Sequence, residues 1–420
     1  MRLFLFSLLL LSQPLFADSY LIRNGRVVTM SVSGMIENGD IRIVDGYIVE
    51  VVQDINAESV DEVIDVGGAY VTPGLFDSGT QLGLAEVEHF VGSSDNRVKG
   101  QTLGAGFSLA LALNRFSSLV PMVRQEGITR AMVLPITGSE ILAGKSALIQ
   151  LGDNTPFSTN DGNAVHLYLR ETDRSLAGGS QASALMQAVN SLKEAKRFGK
   201  NRRAYESGRT RKFRQSEDDL KTLVQVLKRD VALVIHVDRA ADIETVIAEL
   251  GTFNLRLVIA GGREAWRVKQ VLAEMEIPVV LNVIDNLPSR FDRLGARLDN
   301  AALLVGAGVK VAFMTQDLYK DTRSLTQAAG VAVAYGLSWQ EAMKAITVNP
   351  ASIWGLENYG SLEKGRVADI VIWDGDPLEV MSAPTRLMID GRWISLTTRQ
   401  DLLRDRYSEL ENQDVPFGYR

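Results

Sequence analysis

Between Val231 and Ile346 the chain repeats one unit: a short apolar run rich in branched residues, then a longer stretch whose apolar residues recur at helical spacing. The runs are VALVIHVD, LRLVIAGG, IPVVLN and KVAFMTQ, and after the first of them Ile243, Val246, Ile247 and Leu250 share one helical face. Further helices are expected over 264–275, 296–305, 324–335 and 339–346. Strands that are apolar on both faces belong to a parallel sheet covered by helices. Four such units in succession make either a closed barrel or an open, doubly wound sheet. No Gly-x-Gly-x-x-Gly run follows an early strand, so the dinucleotide-binding form of the open sheet has little support. A length of 420 residues suits an α/β fold consisting of a TIM-like (β/α)8 barrel of about 250 residues with a smaller domain attached.

The two ends read as β. From Tyr20 to Val51 short alternating strands are broken by Asn24-Gly25, Asn38-Gly39 and Asp45-Gly46, pairs that suit two-residue hairpin turns with positive φ. Val63 to Val66 adds a strand, and Ala368 to Trp373 and Leu387 to Trp393 follow near the other end, with Asp390-Gly391 at their turn. A composite β-sandwich domain over 18–68 and 356–397 is therefore expected around a barrel at 69–355, with a polar, partly helical tail at 398–420. Within the barrel's first half, strands are expected at Ile128 to Pro135, Ser146 to Leu151 and Ala164 to Leu169. Residues 98–114 read as a loop followed by a helix, and 180–197 as a helix with Leu185, Ala188, Val189 and Leu192 on one face. Ser216 to Asp219 fits a capping box opening the next helix.

Composition narrows the function classes. A net charge of -6 gives no electrostatic reason to expect nucleic acid as the partner, and the absence of cysteine excludes disulfides, thiolate metal sites and a cysteine nucleophile. One segment departs from the acidic whole: ten Lys or Arg lie between Lys193 and Arg214, against Glu194 and Glu206 only. It reads as a solvated insertion on the barrel rim, with a polyanion or anionic-lipid site as the alternative. The first 17 residues, with Arg2, an apolar run from Leu3 to Leu11 and Ala17 before polar residues, read as a cleaved signal peptide, which implies a secreted, periplasmic protein. That apolar run is shorter than the roughly 20 residues of a spanning helix, so no stable membrane span is expected after cleavage.

The stretch VTPGLFDSGTQLGL, from Val71 to Leu84, is apolar up to Phe76 and becomes small and polar from Asp77. In a barrel the chemistry stands at the carboxyl ends of the strands, which places the residues after Asp77 at the mouth. This stretch resembles the first strand of the amidohydrolase superfamily, in which a Pro-Gly-Leu-Ile-Asp run leads into a metal-binding His-x-His pair. The segment ITVNPASIWGLENYGSLEKGRVADIVIWDGDP, from Ile346 to Pro377, resembles the family's closing segment. The blocks LNRFSSLVPMVRQEGITRAMVLP and LAGKSALIQL are similar to exported members related to imidazolonepropionase.

The resemblance implies hydrolysis of amide or cyclic amide C–N bonds by one or two divalent metals such as zinc, which lower the pKa of bound water to about 7. It also implies ligands on the first, fourth, fifth and sixth strands and a proton-moving aspartate on the eighth. Laid on that pattern, the first-strand histidine positions fall on Gly79 and Gln81. On the fifth strand, LVIHVDRAADI matches the family's His-x-His segment with His236 kept and Asp238 in place of the second histidine. The sixth-strand position falls on Gly261 or Gly262, and the eighth-strand aspartate position on Gln316, with Asp317 beside it as a possible catalytic substitute. His236, Asp238 and Asp77, with Asp317, are the residual metal candidates. His89, in a loop with Glu86 and Glu88, and His166, inside an apolar strand, read as structural.

The sequence thus leaves three readings open. The chain is a family member without a working metal centre that binds a small amide-like or acylated ligand; it is the non-catalytic partner of an intact amidohydrolase in a homo- or hetero-oligomer; or it is an active hydrolase using its residual acidic groups.

Overall fold

The computed structural model describes residues 19–408 except 58–59, 87–91, 93, 101–102, 154–155, 210–211 and 317–321. Strands β1 (Ser19–Val28), β2 (Met35–Val44), β3 (Tyr47–Gln53), β4 (Glu62–Asp65) and β5 (Tyr70–Pro73) come first and belong to the small domain. The barrel follows with β6 (Leu75–Thr80), β7 (Ile128–Val133), β8 (Leu142–Gln150), β9 (Ser158–Tyr168), β10 (Ala232–Val237), β11 (Leu257–Gly261), β12 (Val279–Leu281) and β13 (Val311–Phe313), hydrogen-bonded in that order. Strands β14 (Ile370–Trp373), β15 (Pro384–Ile389) and β16 (Arg392–Ile394) then return to the first sheet, in the order β16-β15-β14-β5-β1-β2-β3 with β4 on β1. Both ends of the chain therefore build one eight-stranded sheet, whose core contains Ile22, Ile41, Ile43, Val71, Ile370 and Met388.

The barrel opens at Leu75, not at Ala69, because β5 pairs with β1 and β14. The change of sheet happens at Gly74, where a Cβ would stand 2.3 Å from Thr129 Oγ1, so only glycine lets the chain pass. Two of the expected hairpin turns also fall elsewhere. Asn24-Gly25 and Asn38-Gly39 lie inside β1 and β2, where Gly25 faces Gly39 between register shifts. The positive φ of Asn24 (58°) and Asn38 (52°) bends these strands and does not reverse them. Asp45-Gly46 and Asp390-Gly391 do form the expected tight turns.

One barrel strand departs from the parallel arrangement: β8 runs antiparallel to β7 and β9. Its connections, 134–141 and 151–157, are too short for the crossover of a dozen or more residues that a parallel neighbour needs. Elsewhere the strands alternate as a filled barrel should. Phe76, Met132, Leu148, Ala164, Val234, Val258, Val280 and Ala312 point inward and pack on Ile353 and Trp354 at the amino-terminal end. Their neighbours Ala131, Ile149, Val165, Ile235, Ile259 and Val311 face the surrounding helices. The Gln181–Lys200 helix and the capping box of Ser216 with Asp219 are as expected. The expected helix over 264–275 splits into a 3-10 turn, Ala265–Val268, and a short helix, Lys269–Glu274. The loop-and-helix reading of 98–114 reduces, among its described residues, to the 3-10 turn Leu109–Ala112.

Arg130 joins the two domains. It is 2% exposed on β7, donates through Nε to Asp369 (2.8 Å) and through Nη2 to Asp390 (2.6 Å), and lies 3.7 Å over the ring of Tyr359. Among the described residues no helix is long and apolar enough to cross a membrane.

Candidate active site at the barrel mouth

The first strand ends in a seam of hydrogen bonds. Asp77 is fully buried; its Oδ1 accepts from the Gly79 amide (2.9 Å) and the Thr315 amide (3.2 Å), and its Oδ2 pairs with Thr315 Oγ1 at 2.5 Å. These bonds, with the Gln316 amide donating to the Gly79 carbonyl at 2.7 Å, tie the segment after β13 to β6 and close the barrel. Burial outweighs the hydrogen bonds and pushes the Asp77 carboxyl up to about 7. Beside it, a Cβ on Gly79 would lie 2.7 Å from Leu134 Cδ1 and 3.0 Å from Met314 Cβ. The space that a first-strand side chain would need is filled by these two residues. Gly79→Ala is expected to lower stability by about 1–3 kcal/mol through overpacking, read from a denaturant midpoint; a neutral result would show that Leu134 yields freely.

Gln81 is likewise committed. Its Nε2 donates to the Leu134 carbonyl and its Oε1 accepts from Asn96 Nδ2, both at 2.8 Å. Gln316 stands at φ 60°, a left-handed conformation outside the strand geometry of β13. The candidate catalytic Asp317 lies outside the described residues, as do His89 and Glu88. Glu86 accepts from Asn114 Nδ2 and Ser117 Oγ and serves its loop.

On the fourth and fifth barrel strands two histidines meet. His166 Nδ1 and His236 Nε2 are 2.9 Å apart, and His236 stacks on the Tyr168 ring at 3.8 Å between centroids. Both imidazoles are fully buried, and each has one nitrogen, His166 Nε2 and His236 Nδ1, with no hydrogen-bond partner among the described residues. Burial lowers the His166 pKa to about 3. Burial first, then His166, Arg170 and Arg263, hold that of His236 well below its ordinary value. Two neutral imidazoles sharing one proton between them satisfy this geometry. The inward position of His166 was readable from its alternation with Ala164 on β9; its contact with His236 was not, since it depends on strand register.

Asp238 is held by two arginines that the sequence reading missed. Arg263 Nη1 reaches its Oδ1 at 2.9 Å and Arg293 Nε its Oδ2 at 3.1 Å, and both arginines also bind Asp285 Oδ2, at 2.6 and 3.0 Å. Arg263 directly follows the Gly261-Gly262 pair, and that pair makes room for it. Gly261 has φ +91°, and a Cβ there would meet Asp238 Oδ1 at 2.5 Å and Arg263 Nη1 at 2.9 Å. The glycine at the end of β11 thus makes room for an ion pair.

As folded, the described members of this donor set do not fit a catalytic divalent ion, which takes three convergent protein ligands and an open position. Asp238 is neutralised by two guanidiniums, His236 is turned to His166, and Asp77 is spent on closing the barrel. Among the described residues no group of three or more His, Asp or Glu is arranged to hold an ion.

A nearly closed eight-stranded barrel with its polar groups at the strand ends, joined to a sheet built from both chain ends, defines the class of amidohydrolase-type barrel proteins. Residues 127–398 match the amidohydrolase family, and the chain belongs to it. An amidohydrolase from Thermotoga maritima is similar in structure, with a TM-score of 0.81 at 24% identity over 90% of this chain and 99% of that one. Molinate hydrolase superposes less closely, with a TM-score of 0.56 at 15% identity over 90% of this chain and 95% of that one. These likenesses show the fold. In sequence, amidohydrolase tasK of Hapsidospora irregularis is 21% identical over 84% of this chain, which spans 39% of that protein. A dihydroorotase of Anoxybacillus flavithermus is 33% identical over 23% of this chain and 20% of its own length.

Proposed function

We propose that this amidohydrolase-family chain has a degenerate metal centre and no longer hydrolyses C–N bonds by the metal-dependent route. It acts instead as a binding protein for a small amide-like or acylated ligand, or as the non-catalytic partner of an intact relative. The observation that carries this reading is Asp238 fixed between Arg263 and Arg293, on the strand where the family pattern puts metal ligands. The Leu134 and Met314 side chains against Gly79 support it from the first strand. We also propose export to a periplasm and kinship with the imidazolonepropionase-related members, on the amino-terminal and 113–151 segments.

A second reading, an active hydrolase, is favoured by one specific feature: two imidazoles meet on adjacent strands with a spare nitrogen each. Metal analysis of the purified chain separates the two. Supplied with zinc, manganese or cobalt, the protein is expected to retain far less than one ion per chain after gel filtration, and His236→Ala to change nothing in that content. One tightly held ion per chain, lost together with amide hydrolysis in His236→Ala, would establish the hydrolase instead. Hydrolysis that appears only on adding an intact relative would select the partner role.

A further inference from the structure

The amino-terminal end of the barrel, opposite the mouth, carries a groove of about 610 Å³ running between the starts of β11, β12 and β13. In barrels of this kind that end serves stability, so an open groove lined by charge there calls for a reason. Three cations stand in its wall: Arg229, Arg256 and Lys310. Arg256 is half-buried and donates through Nη2 to the Ile353 carbonyl at 2.8 Å. Lys310 donates to Ser352 Oγ at 2.7 Å, and Arg229 to Asn254 Oδ1 at 2.8 Å. Those anchors are neutral, and the first two are consecutive residues, so the heads of Arg256 and Lys310 are fixed at neighbouring places. Among the described residues none of the three has an ion-pair partner, although Glu276 lies on the rim.

Like charges held together in a partly buried wall repel, and burial together with Arg229 depresses the Arg256 pKa. The rest of the wall is mixed: Asn254, Glu276 and Ser352 are polar, while Met275, 48% exposed, and the half-buried Pro278 give an apolar strip along one side. A bare inorganic ion would use only the cations. An apolar chain bearing an anionic head uses both surfaces.

We propose that this groove binds an amphiphilic anion, a phosphate or carboxylate head on an apolar chain, with Arg229, Arg256 and Lys310 receiving the head and Met275 and Pro278 the chain. The site is separate from the barrel mouth and does not depend on whether the mouth holds a metal.

Titration calorimetry on the full chain at low salt, with octyl phosphate, octanoate and inorganic phosphate as probes, tests it. Saturable one-to-one binding of octyl phosphate, octanoate or both is expected, at least about tenfold tighter than inorganic phosphate, because the chain buries apolar area in the groove. The preferred probe identifies the head as phosphate or carboxylate. The double variant R229Q/K310Q, at two exposed positions, is expected to weaken binding by about tenfold or more with an unchanged melting temperature. Met275→Ser should weaken octyl phosphate and octanoate while leaving inorganic phosphate unaffected. No saturable binding of either chain-bearing probe, or binding that is equal in R229Q/K310Q, would overturn the proposal.

Discussion

Asp238→Ala is expected to lower the unfolding free energy by about 3–5 kcal/mol, because it strips a buried counter-ion from two guanidiniums that cannot reach water. Arg263 is 1% and Arg293 4% exposed, and each gives Asp238 a hydrogen bond of about 3 Å. Asp285 remains, but its side chain is 50% exposed and one carboxylate then faces two buried cations. Asp238→Asn should fall in the same direction by less, since the amide oxygen still accepts one of the two bonds. The outcome also discriminates function. Carboxylates gathered to hold a metal strain the metal-free protein, so removing one of them usually leaves stability unchanged or raises it. A chemical denaturation midpoint for Asp238→Ala at or above that of the unmodified chain would mean that the arginine clamp stabilises nothing, and the proposed conversion of the site would lose its main support.

The sequence revealed the scaffold better than the site, for a physical reason. Strand and helix alternate with periods that are local properties of the chain, so β10 to β13 and their helices could be read in order. The closing segment could be placed because Ile346 to Pro377 resembles the family's closing segment, and its strand Ile370–Trp373 is wholly buried in the sheet. What failed depended on contacts distant in sequence. Asn24-Gly25 has the chemistry of a turn and becomes a bulge only because β2 presents Gly39 opposite it. The antiparallel β8 was visible in principle from its short connections. At the mouth, Gly79, Gln81, Asp238 and Gly261 could be listed as candidate site positions, but not the contacts that surround them. Arg293 meets Asp238 from 55 residues away, and Thr315 meets Asp77 from 238 away, so no local pattern announces either pair. The Gly-Gly-Arg run at 261–263 was the one legible hint, since a glycine pair beside a buried arginine marks a place where backbone makes room for a guanidinium.

Acid is expected to destabilise this protein through its paired histidines, with Asp77 working against them. In the unfolded chain an imidazole takes up a proton below about pH 6.5, whereas folded His166 resists until about 3 and His236 also stays neutral well below its ordinary value. Over that interval the unfolded state binds more protons, so each histidine removes roughly 1.4 kcal/mol of stability per pH unit of acidification. From pH 6.5 to 4.5 His166 alone costs about 2–3 kcal/mol on this scale, and His236 adds a loss of the same sign. Asp77 has the opposite sign: folded, it keeps its proton up to about 7, while unfolded it ionises near 3.8. Its contribution is therefore complete below pH 3.8, is lost as pH rises to 7, and returns about 3 kcal/mol between pH 6.5 and 4.5. The unmodified chain should lose at least about 2–3 kcal/mol more over this interval than a His166→Asn/His236→Asn variant, which keeps the opposing Asp77 contribution, and Asp77→Asn should lose about 3 kcal/mol more than the unmodified chain. Urea denaturation at the two pH values measures all three. Equal losses in the unmodified chain and Asp77→Asn would mean that Asp77 is already ionised in the fold, and a loss that survives removal of both histidines would place the acid sensitivity in other groups.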